Sequence, residues 1–330
     1  MPQSPPPSTF DARRSPRGWL NRGERTRLTL AGADRVKALN NLVTNDIKKL
    51  KVGAGCEAFA TSLQGKTLGY LSVLATDREL WLLGSAALAS SVVPHLQKYT
   101  VFEEVELVDR STTTGEIHLL VNEDREELAR LLGFSSAPVD PLTHHGQEDG
   151  GLIFSEAPTG HPGLTVIAER ERIRQMEQIL MSHGWEALDP QWFEAARIRQ
   201  GTPEFGRDVK PENLPQEVQR DALAISFVKG CYIGQETVAR IDALGHVNKV
   251  LRGLVFESPD RSIPADGTPL SVDGKPAGVV TSAAWDSESD EVIGLGYARG
   301  AFASPGTVLQ WDCQGVPRVA RVVALPNPAR

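Results

Sequence analysis

Alternation of apolar and polar residues predicts the first elements of this chain. Residues 25–30 alternate with the period of two that is typical of a half-buried strand. Asp34 follows at a position suited to cap a helix, because apolar residues then recur at helical spacing. Residues 67–75 and 79–83 alternate on either side of a short polar turn, which predicts a β-hairpin. Residues 85–99 then predict a second helix.

A second set of strands and helices follows, and the pattern changes toward the C-terminus. Residues 116–121 predict a strand, and Asn122 is placed to cap a helix that ends at Gly133. Apolar residues also recur at helical spacing over residues 172–183, just before another glycine. From Val250 onward, short β-rich runs alternate with glycine, proline and aspartate turns. This pattern predicts a small β-barrel or sandwich.

These elements predict an α+β protein of several domains, and 330 residues are enough to form them. We place a first α+β domain over residues 25–110, a second over 111–248 and a β-barrel domain over 249–330. Residues 1–24 are expected to be a disordered lead-in, because the chain starts with proline, serine and arginine and lacks an apolar core there. The missing apolar core excludes a secretory signal, and the proline run argues against a mitochondrial transit peptide.

The composition is that of an ordinary soluble globular protein, with 40% hydrophobic and 23% charged residues. The formal net charge of −7 argues against a general binder of nucleic acid or of anionic membranes. No run of apolar residues is long enough to predict a membrane-spanning helix. We therefore expect no nucleic-acid partner and no membrane partner.

The cysteines narrow the chemistry further. Cys56, Cys231 and Cys313 lie far apart and form no CxxC pair. This spacing excludes a disulfide framework, a zinc ribbon and a four-cysteine cluster site, so no metal site within the chain is predicted. Free thiols are typical of a reducing compartment, and we expect a cytoplasmic location.

The most informative segment surrounds Cys231 and reads KGCYIGQETVAR over residues 229–240. Residues 225–228 before it predict the end of a buried strand, and the residues from Gln235 on predict a short helix. A thiol just before a helix N-terminus, beside the positive charge of Lys229, is expected to favour the thiolate, which is the reactive and metal-binding form. A lone cysteine is more often a small buried hydrophobe, so inert packing is the competing interpretation.

The segment from Lys229 to Glu236, followed by Ala239 and Arg240, resembles the signature of the YgfZ proteins. These are folate-binding relatives of the glycine-cleavage T-protein, an aminomethyltransferase. The resemblance extends over shorter stretches elsewhere, namely Trp192 and residues 28–34, 42–46, 196–198, 201–204, 214–217 and 225–227.

The resemblance implies a fold and a function. The fold would be T-protein-like, with two interleaved α+β domains and a C-terminal β-barrel around a central folate channel. The function would be that of an accessory protein that binds tetrahydrofolate, or a derivative, and supports iron–sulfur cluster assembly or repair. Its partners would be iron–sulfur assembly proteins or client enzymes. Alternatives are a folate-dependent aminomethyl or methyl transferase, and a structural adaptor that no longer binds folate.

The chain departs from the T-protein at three acidic positions. The T-protein's acidic pair, one carboxylate of which acts near the folate nitrogen, corresponds to Gly69 and Tyr70, and its pterin-binding glutamate corresponds to Arg199. A tyrosine, with an ordinary pKa of about 10, cannot accept a proton at neutral pH. These replacements argue against aminomethyl transfer by the T-protein route, so the chain is not expected to be a classical enzyme.

The resemblance also supplies the candidate site. A single cysteine cannot hold a cluster alone, so Cys231 would act as a reactive thiol that shares any cluster ligation with a partner. Basic side chains are expected to bind the folate carboxylates. The predicted folate-site residues are Arg197, Arg199, Lys229, Gln235, Glu236 and Arg240. Glu236 and Arg240 are four residues apart and are expected to form an ion pair on one helix face.

Overall fold

The computed structural model describes residues 17–121 and 123–326. Its first strand, β1 (Gly18–Asn21), places Trp19 in a buried core and pairs that residue with Leu119. The predicted disordered lead-in over residues 1–24 is therefore wrong at this strand, because burial of Trp19 and strand pairing fix the backbone. Residues 1–16 of the lead-in lie outside the described residues.

The first sheet is antiparallel and has the strand order β3-β4-β5-β2-β6. Its strands are β2 (Thr26–Ala31), β3 (Gly55–Thr61), β4 (Thr67–Ala75), β5 (Glu79–Gly84) and β6 (Glu106–Asp109), and its helices are α1 (Arg35–Asn40) and α2 (Leu88–Tyr99). The predicted hairpin is confirmed by the pairing of β4 with β5. Asp34 precedes α1 as predicted but does not cap it, because its carboxylate accepts a hydrogen bond from the Glu104 backbone instead.

The second sheet has the order β11-β1-β7-β10-β9-β8, in which β1 lies between β11 and β7. Its other elements are β7 (Thr114–Leu120), α3 (Arg125–Leu131), β8 (His144–Gly146), β9 (Leu152–Glu156), β10 (Gly163–Glu169), α4 (Arg170–Ser182) and β11 (Glu186–Ala187). The predicted helix cap at Asn122 lies outside the described residues, and α3 begins after Asp124. The two sheets contact each other through an apolar cluster that includes Leu83 and Phe154.

After the second sheet the chain returns to the first. This segment contains α5 (Pro190–Gln200), α6 (Asp221–Ala224) and α7 (Gln235–Leu244). Its buried residues Ile198, Val218 and Val238 belong to the same core as Leu28 of the first sheet. The predicted second domain over residues 111–248 is therefore divided, since its last third packs on the first sheet.

Residues 225–228 do not form the buried strand that the sequence predicts. Ile225 is buried, but Phe227 and Val228 are 45% and 84% exposed in a turn after α6. Apolar composition alone was a misleading guide here, because the turn presents these two side chains outward.

The C-terminal part is a closed six-stranded barrel with the order β12-β15-β14-β13-β16-β17. Its strands are β12 (Lys249–Phe256), β13 (Pro269–Val272), β14 (Lys275–Asp286), β15 (Glu291–Arg299), β16 (Val308–Cys313) and β17 (Val316–Val323). Closure pairs every strand on both sides, and Phe256 and Trp311 meet edge to face in its interior. The α+β fold with a C-terminal barrel is thus confirmed. Among the described residues, no helix has the length and apolarity needed to cross a membrane.

Candidate functional site

A cavity of about 1930 Å³ lies where the two sheets and the returning segment meet. Strands β3 and β4 contribute Glu57 and Tyr70 to its wall, and the second sheet contributes Glu156. The returning segment adds Phe193 and Arg220. Ligand pockets usually measure about 300–1,000 Å³, so this space is large enough for an extended small molecule.

The charged lining of the cavity is basic. Among the described residues, eight arginines and five glutamates line it, although the whole chain carries a net charge of −7. The arginines are Arg22, Arg25, Arg125, Arg170, Arg174, Arg197, Arg207 and Arg220, and the glutamates are Glu24, Glu57, Glu156, Glu194 and Glu204. A guanidinium is charged at any ordinary pH and matches a carboxylate in shape, so the lining favours an anionic ligand.

Two of these arginines have no carboxylate partner within the described residues. Arg125 donates to the carbonyl oxygens of Pro138 and Gly163 and to the Ser155 hydroxyl. Arg170 donates to the carbonyl oxygen of Ser111. Burial lowers the pKa of Arg125, since no nearby carboxylate offsets the loss of solvation. These two guanidinium groups are the ones whose charge is left for a ligand.

A hydrogen-bonded cluster of Glu57, Tyr70 and Arg220 stands on the first-sheet side of the cavity. The Tyr70 hydroxyl donates to Glu57 Oε2 over 2.6 Å, and Arg220 Nε donates to the same oxygen over 3.0 Å. Arg220 Nη2 donates to the other oxygen of the carboxylate, which makes the pair bidentate. Burial raises the pKa of Tyr70 above its ordinary value, so the phenol stays protonated at neutral pH.

A second charged cluster stands on the side of the second sheet. Thr165 donates to Glu156 over 2.6 Å, so its oxygen is left to accept the Nδ1–H of His118 over 2.8 Å. Burial lowers the pKa of His118, which keeps the imidazole neutral. Burial alone would raise the pKa of Glu156, but Arg22, whose Nη1 lies 2.5 Å away, outweighs burial and holds that pKa low.

Cys231 lies outside the cavity, in the loop between α6 and α7, and its side chain is exposed. The other cysteines are half-buried. Burial, aided by Glu57, raises the pKa of Cys56 to about 12, which keeps this cavity thiol protonated. Exposure of Cys231 argues against the competing interpretation of an inert buried cysteine.

Lys229 is not directed at the thiol but anchors the loop that carries it. Its ammonium donates to the carbonyl oxygens of Asn40, Val43 and Asn45 over 2.6, 2.7 and 2.6 Å. Burial lowers the pKa of Lys229 to about 8, against the effect of the Asp46 carboxylate. All three donors of the ammonium are used by backbone carbonyls at the end of α1 and just after it, so no donor is left for folate.

Of the predicted folate-site residues, only Arg197 lines the cavity. Arg197 is buried and pairs with Glu194 and with Asp208, at 2.6 and 2.8 Å. Arg199 instead forms ion pairs with Asp286 and Glu288 of the barrel. Both guanidinium groups are therefore neutralised by protein carboxylates.

The remaining predicted residues belong to the first turns of α7, which forms where the sequence predicts it. Gln235 is half-buried, and Glu236 and Arg240 are exposed. The expected ion pair between Glu236 and Arg240 is not formed in the described part of the chain. None of the three lines the cavity, so they share a surface with Cys231 rather than with a ligand between the sheets.

Comparison with known proteins agrees with this architecture. Residues 249–327 match the family model of the glycine cleavage T-protein C-terminal barrel domain. A solved structure of the glycine cleavage system aminomethyltransferase T from Bartonella henselae covers 94% of this chain, and 85% of that chain is covered in turn, with a TM-score of 0.81. Sequence identity is 17%, so this likeness shows the fold alone.

Sequence relatives narrow the family. A protein of Hamiltonella defensa named tRNA-modifying protein YgfZ is 29% identical over 67% of this chain and 65% of its own length. The protein of that name from Yersinia pestis (strain Pestoides F) is 27% identical over 74% of this chain and 72% of its own. The chain is a YgfZ-like relative of the glycine-cleavage T-protein. A putative chloroplastic transferase of Arabidopsis thaliana is 26% identical over 86% of this YgfZ-like chain and 65% of its own length.

The chain thus spans about two thirds of the length of these relatives from Hamiltonella and Arabidopsis, 65% in each case. In this YgfZ-like chain, the cavity residues Glu57, Arg125, Arg170 and Arg220 were missed by the sequence analysis. The signal that exists is weak: Glu57 and Tyr70 lie on the paired strands β3 and β4, but alternation predicts only β4 of the two. No local pattern points to the arginines.

Proposed function

We propose that this protein is a folate-binding accessory protein that supports iron–sulfur cluster assembly or repair. Tetrahydrofolate, or a derivative, would occupy the cavity between the sheets, and Cys231 would act as a reactive thiol on the surface. The observation that carries the folate part is the arginine-rich lining of a large cavity inside an acidic protein. The family resemblance supplies the identity of the ligand and the link to iron–sulfur clusters.

The residues of the cavity fit a folate. Its glutamate carboxylates need cationic partners, and no carboxylate of the described residues competes for Arg125 and Arg170. Its flat ring needs an apolar or aromatic wall, and Phe193, Leu223 and Tyr70 line the cavity. When bound, tetrahydrofolate carries one-carbon units; the chain's own residues would bind its tail and hold its ring.

The thiol would act apart from the folate. The described residues contain no group of three or more histidine, cysteine, aspartate or glutamate side chains placed to hold a metal ion. A cluster, as cargo, would therefore be ligated by Cys231 together with groups of a partner protein. The exposed residues Phe227 and Val228 lie in the same loop and are available to such a partner. Gln235, Glu236 and Arg240 follow on α7 and would extend this contact.

Two relatives are named tRNA-modifying proteins. In such a process this chain would act on a client enzyme rather than bind the RNA. Its net charge of −7 opposes general binding to the phosphates of nucleic acid. A cytoplasmic location suits three free cysteines and belongs to the same proposal.

The first test is calorimetric binding of tetrahydrofolate to the purified protein and its variants. We expect Arg125→Gln to weaken binding at least about tenfold, which corresponds to about 1.4 kcal/mol. Arg130→Gln is the matched control, because Arg130 lies on the same helix but outside the cavity lining. Failure of the wild-type protein to bind tetrahydrofolate would contradict the folate-binding part of the proposal.

The second test addresses the thiol. Cys231→Ser should bind tetrahydrofolate as the wild type does but fail to restore iron–sulfur enzyme activity in cells that lack their own YgfZ-like protein. Cys313→Ser is the control, since Cys313 is a half-buried barrel residue and should restore activity fully. Full restoration by Cys231→Ser would contradict the thiol role.

A further inference from the structure

The cluster of Glu57, Tyr70 and Arg220 has hydrogen-bonding capacity that the described part of the chain does not use. Three donors reach the Glu57 carboxylate: the Tyr70 hydroxyl, Arg220 Nε and Arg220 Nη2. A carboxylate has about four acceptor sites, so one remains, on the oxygen that accepts only from Nη2. Arg220 Nη1 makes no hydrogen bond within the described residues, so its two N–H groups remain as donors.

The cluster is held rigidly. Arg220 Nε also lies 3.1 Å from the Tyr70 hydroxyl oxygen, which closes a ring of contacts among the three side chains. Only 15% of the Glu57 side chain and 12% of the Arg220 side chain are exposed, and Phe59 packs on the Tyr70 ring with centroids 5.1 Å apart. Groups fixed in this way need little further ordering when a ligand binds.

The unused acceptor belongs to Glu57 and the unused donors belong to Arg220, and these two side chains already form a bidentate pair with each other. The complementary ligand is a planar group with an N–H next to a carbonyl or ring nitrogen, as in the edge of an aminopyrimidinone. A carboxylate ligand would meet Glu57, whose charge already pairs with Arg220, and would be repelled. The cluster therefore suits the ring of a folate and not its acidic tail.

We infer that Glu57 and Arg220 bind the pteridine ring of the folate by its N–H and carbonyl edge, with Tyr70 positioning the carboxylate. This inference rests on the proposed function. It also orients the ligand, because the cluster belongs to the first-sheet side while Arg125 and Arg170 belong to the second domain. The ring would face β3 and β4, and the glutamate tail would extend toward these two arginines.

Ligand fragments separate the ring from the tail. The probes are tetrahydrofolate, 6-methyltetrahydropterin, which has the ring alone, and p-aminobenzoylglutamate, which has the tail alone. We expect Glu57→Gln to weaken binding of the first two at least about tenfold and to leave the tail fragment unchanged. Glu79→Gln is the control, because Glu79 pairs with Arg110 on the same sheet but does not line the cavity.

A second variant tests the same inference if Glu57→Gln fails to fold. Arg220→Lys keeps a positive charge beside Glu57 but gives up the free Nη1 donors, and it should also lose ring binding at least tenfold. Unchanged affinity for 6-methyltetrahydropterin in either folded variant overturns the inference while leaving the proposed function intact. A wild-type protein that binds neither tetrahydrofolate nor the ring probe overturns the proposed function itself.

Discussion

At the scale of single residues, Lys229 shows how tertiary contacts change the meaning of a motif. A lysine two positions before an exposed cysteine suggests electrostatic activation of the thiol. The ammonium instead satisfies three backbone carbonyls near the end of α1, and its nitrogen lies 5.0 Å from the centre of the Tyr232 ring. Lys229 therefore fixes the position of Cys231, because it ties the loop between α6 and α7 to the first domain.

Replacing Lys229 should destabilise the protein. Lys229→Met removes charge-assisted hydrogen bonds and leaves buried carbonyls without donors, so we expect the free energy of unfolding to fall by about 2–3 kcal/mol. Urea denaturation measures this. Lys48→Met is the control, since Lys48 is exposed nearby and should change stability by less than about 0.5 kcal/mol. Equal midpoints for the two variants would contradict the anchoring role.

At the scale of an element, helix α7 is bounded by two glycines with left-handed backbone conformations. Gly234 precedes it with φ +84° and Gly245 follows it with φ +69°. A Cβ added at Gly234 would clash with the Ser62 carbonyl oxygen in the turn between β3 and β4, whereas one added at Gly245 would meet no other segment of the described chain within 4 Å. Positive φ favours glycine at both ends of the helix. Only at Gly234 does a neighbouring turn also lie too close for a side chain.

The two glycines therefore make a matched pair of variants. Gly234→Ala and Gly245→Ala should both suffer from positive φ, at about 1–2 kcal/mol each. Gly234→Ala should lose about 1–3 kcal/mol more, because the added carbon displaces the β3–β4 turn. Thermal unfolding gives the comparison, and iodoacetamide labelling of Cys231 reports whether the loop before α7 has moved. Equal losses would show that the turn does not constrain the start of α7.

At the scale of the whole molecule, a buried charged pair joins the returning segment to the barrel. Asp208 Oδ2 accepts from Arg197 at 2.8 Å, and Asp208 Oδ1 accepts from Thr281 and Ser282 of β14 at 2.6 Å each. Burial would raise the pKa of Asp208, but Arg197 outweighs burial and lowers it. The arginine predicted to bind folate thus orders the interface between the returning segment and the barrel.

Breaking this pair should cost more than breaking an exposed one. Asp208→Asn removes one of the two carboxylates that pair with the buried Arg197 and leaves Glu194 as the other, so we expect a loss of about 2–3 kcal/mol. Asp266→Asn is the control, because Asp266 pairs with Lys210 at 3.2 Å on the surface between the same two parts and should cost less than about 1 kcal/mol. Guanidinium denaturation of both variants measures the difference. Similar small losses would mean that the barrel docks without the buried charge.

Local patterns of residues were enough to predict several helices and strands. Alternation predicted the β4–β5 hairpin, short β-rich runs between turns predicted the barrel, and α7 follows Cys231 as expected. These predictions hold because strand and helix periods are read from neighbouring residues alone. Even so, local pattern was wrong at residues 225–228, where exposure depends on what packs nearby.

The candidate site, in contrast, depends on how the whole chain packs. Arg22, Arg125, Arg170 and Arg220 are distant in sequence and meet only because the second sheet and the returning segment close around one cavity. The same closure decided which arginines are neutralised and turned Lys229 away from the thiol. Ion pairing depends on distances of a few ångströms between side chains, and those distances are set by packing of the whole chain rather than by spacing along it.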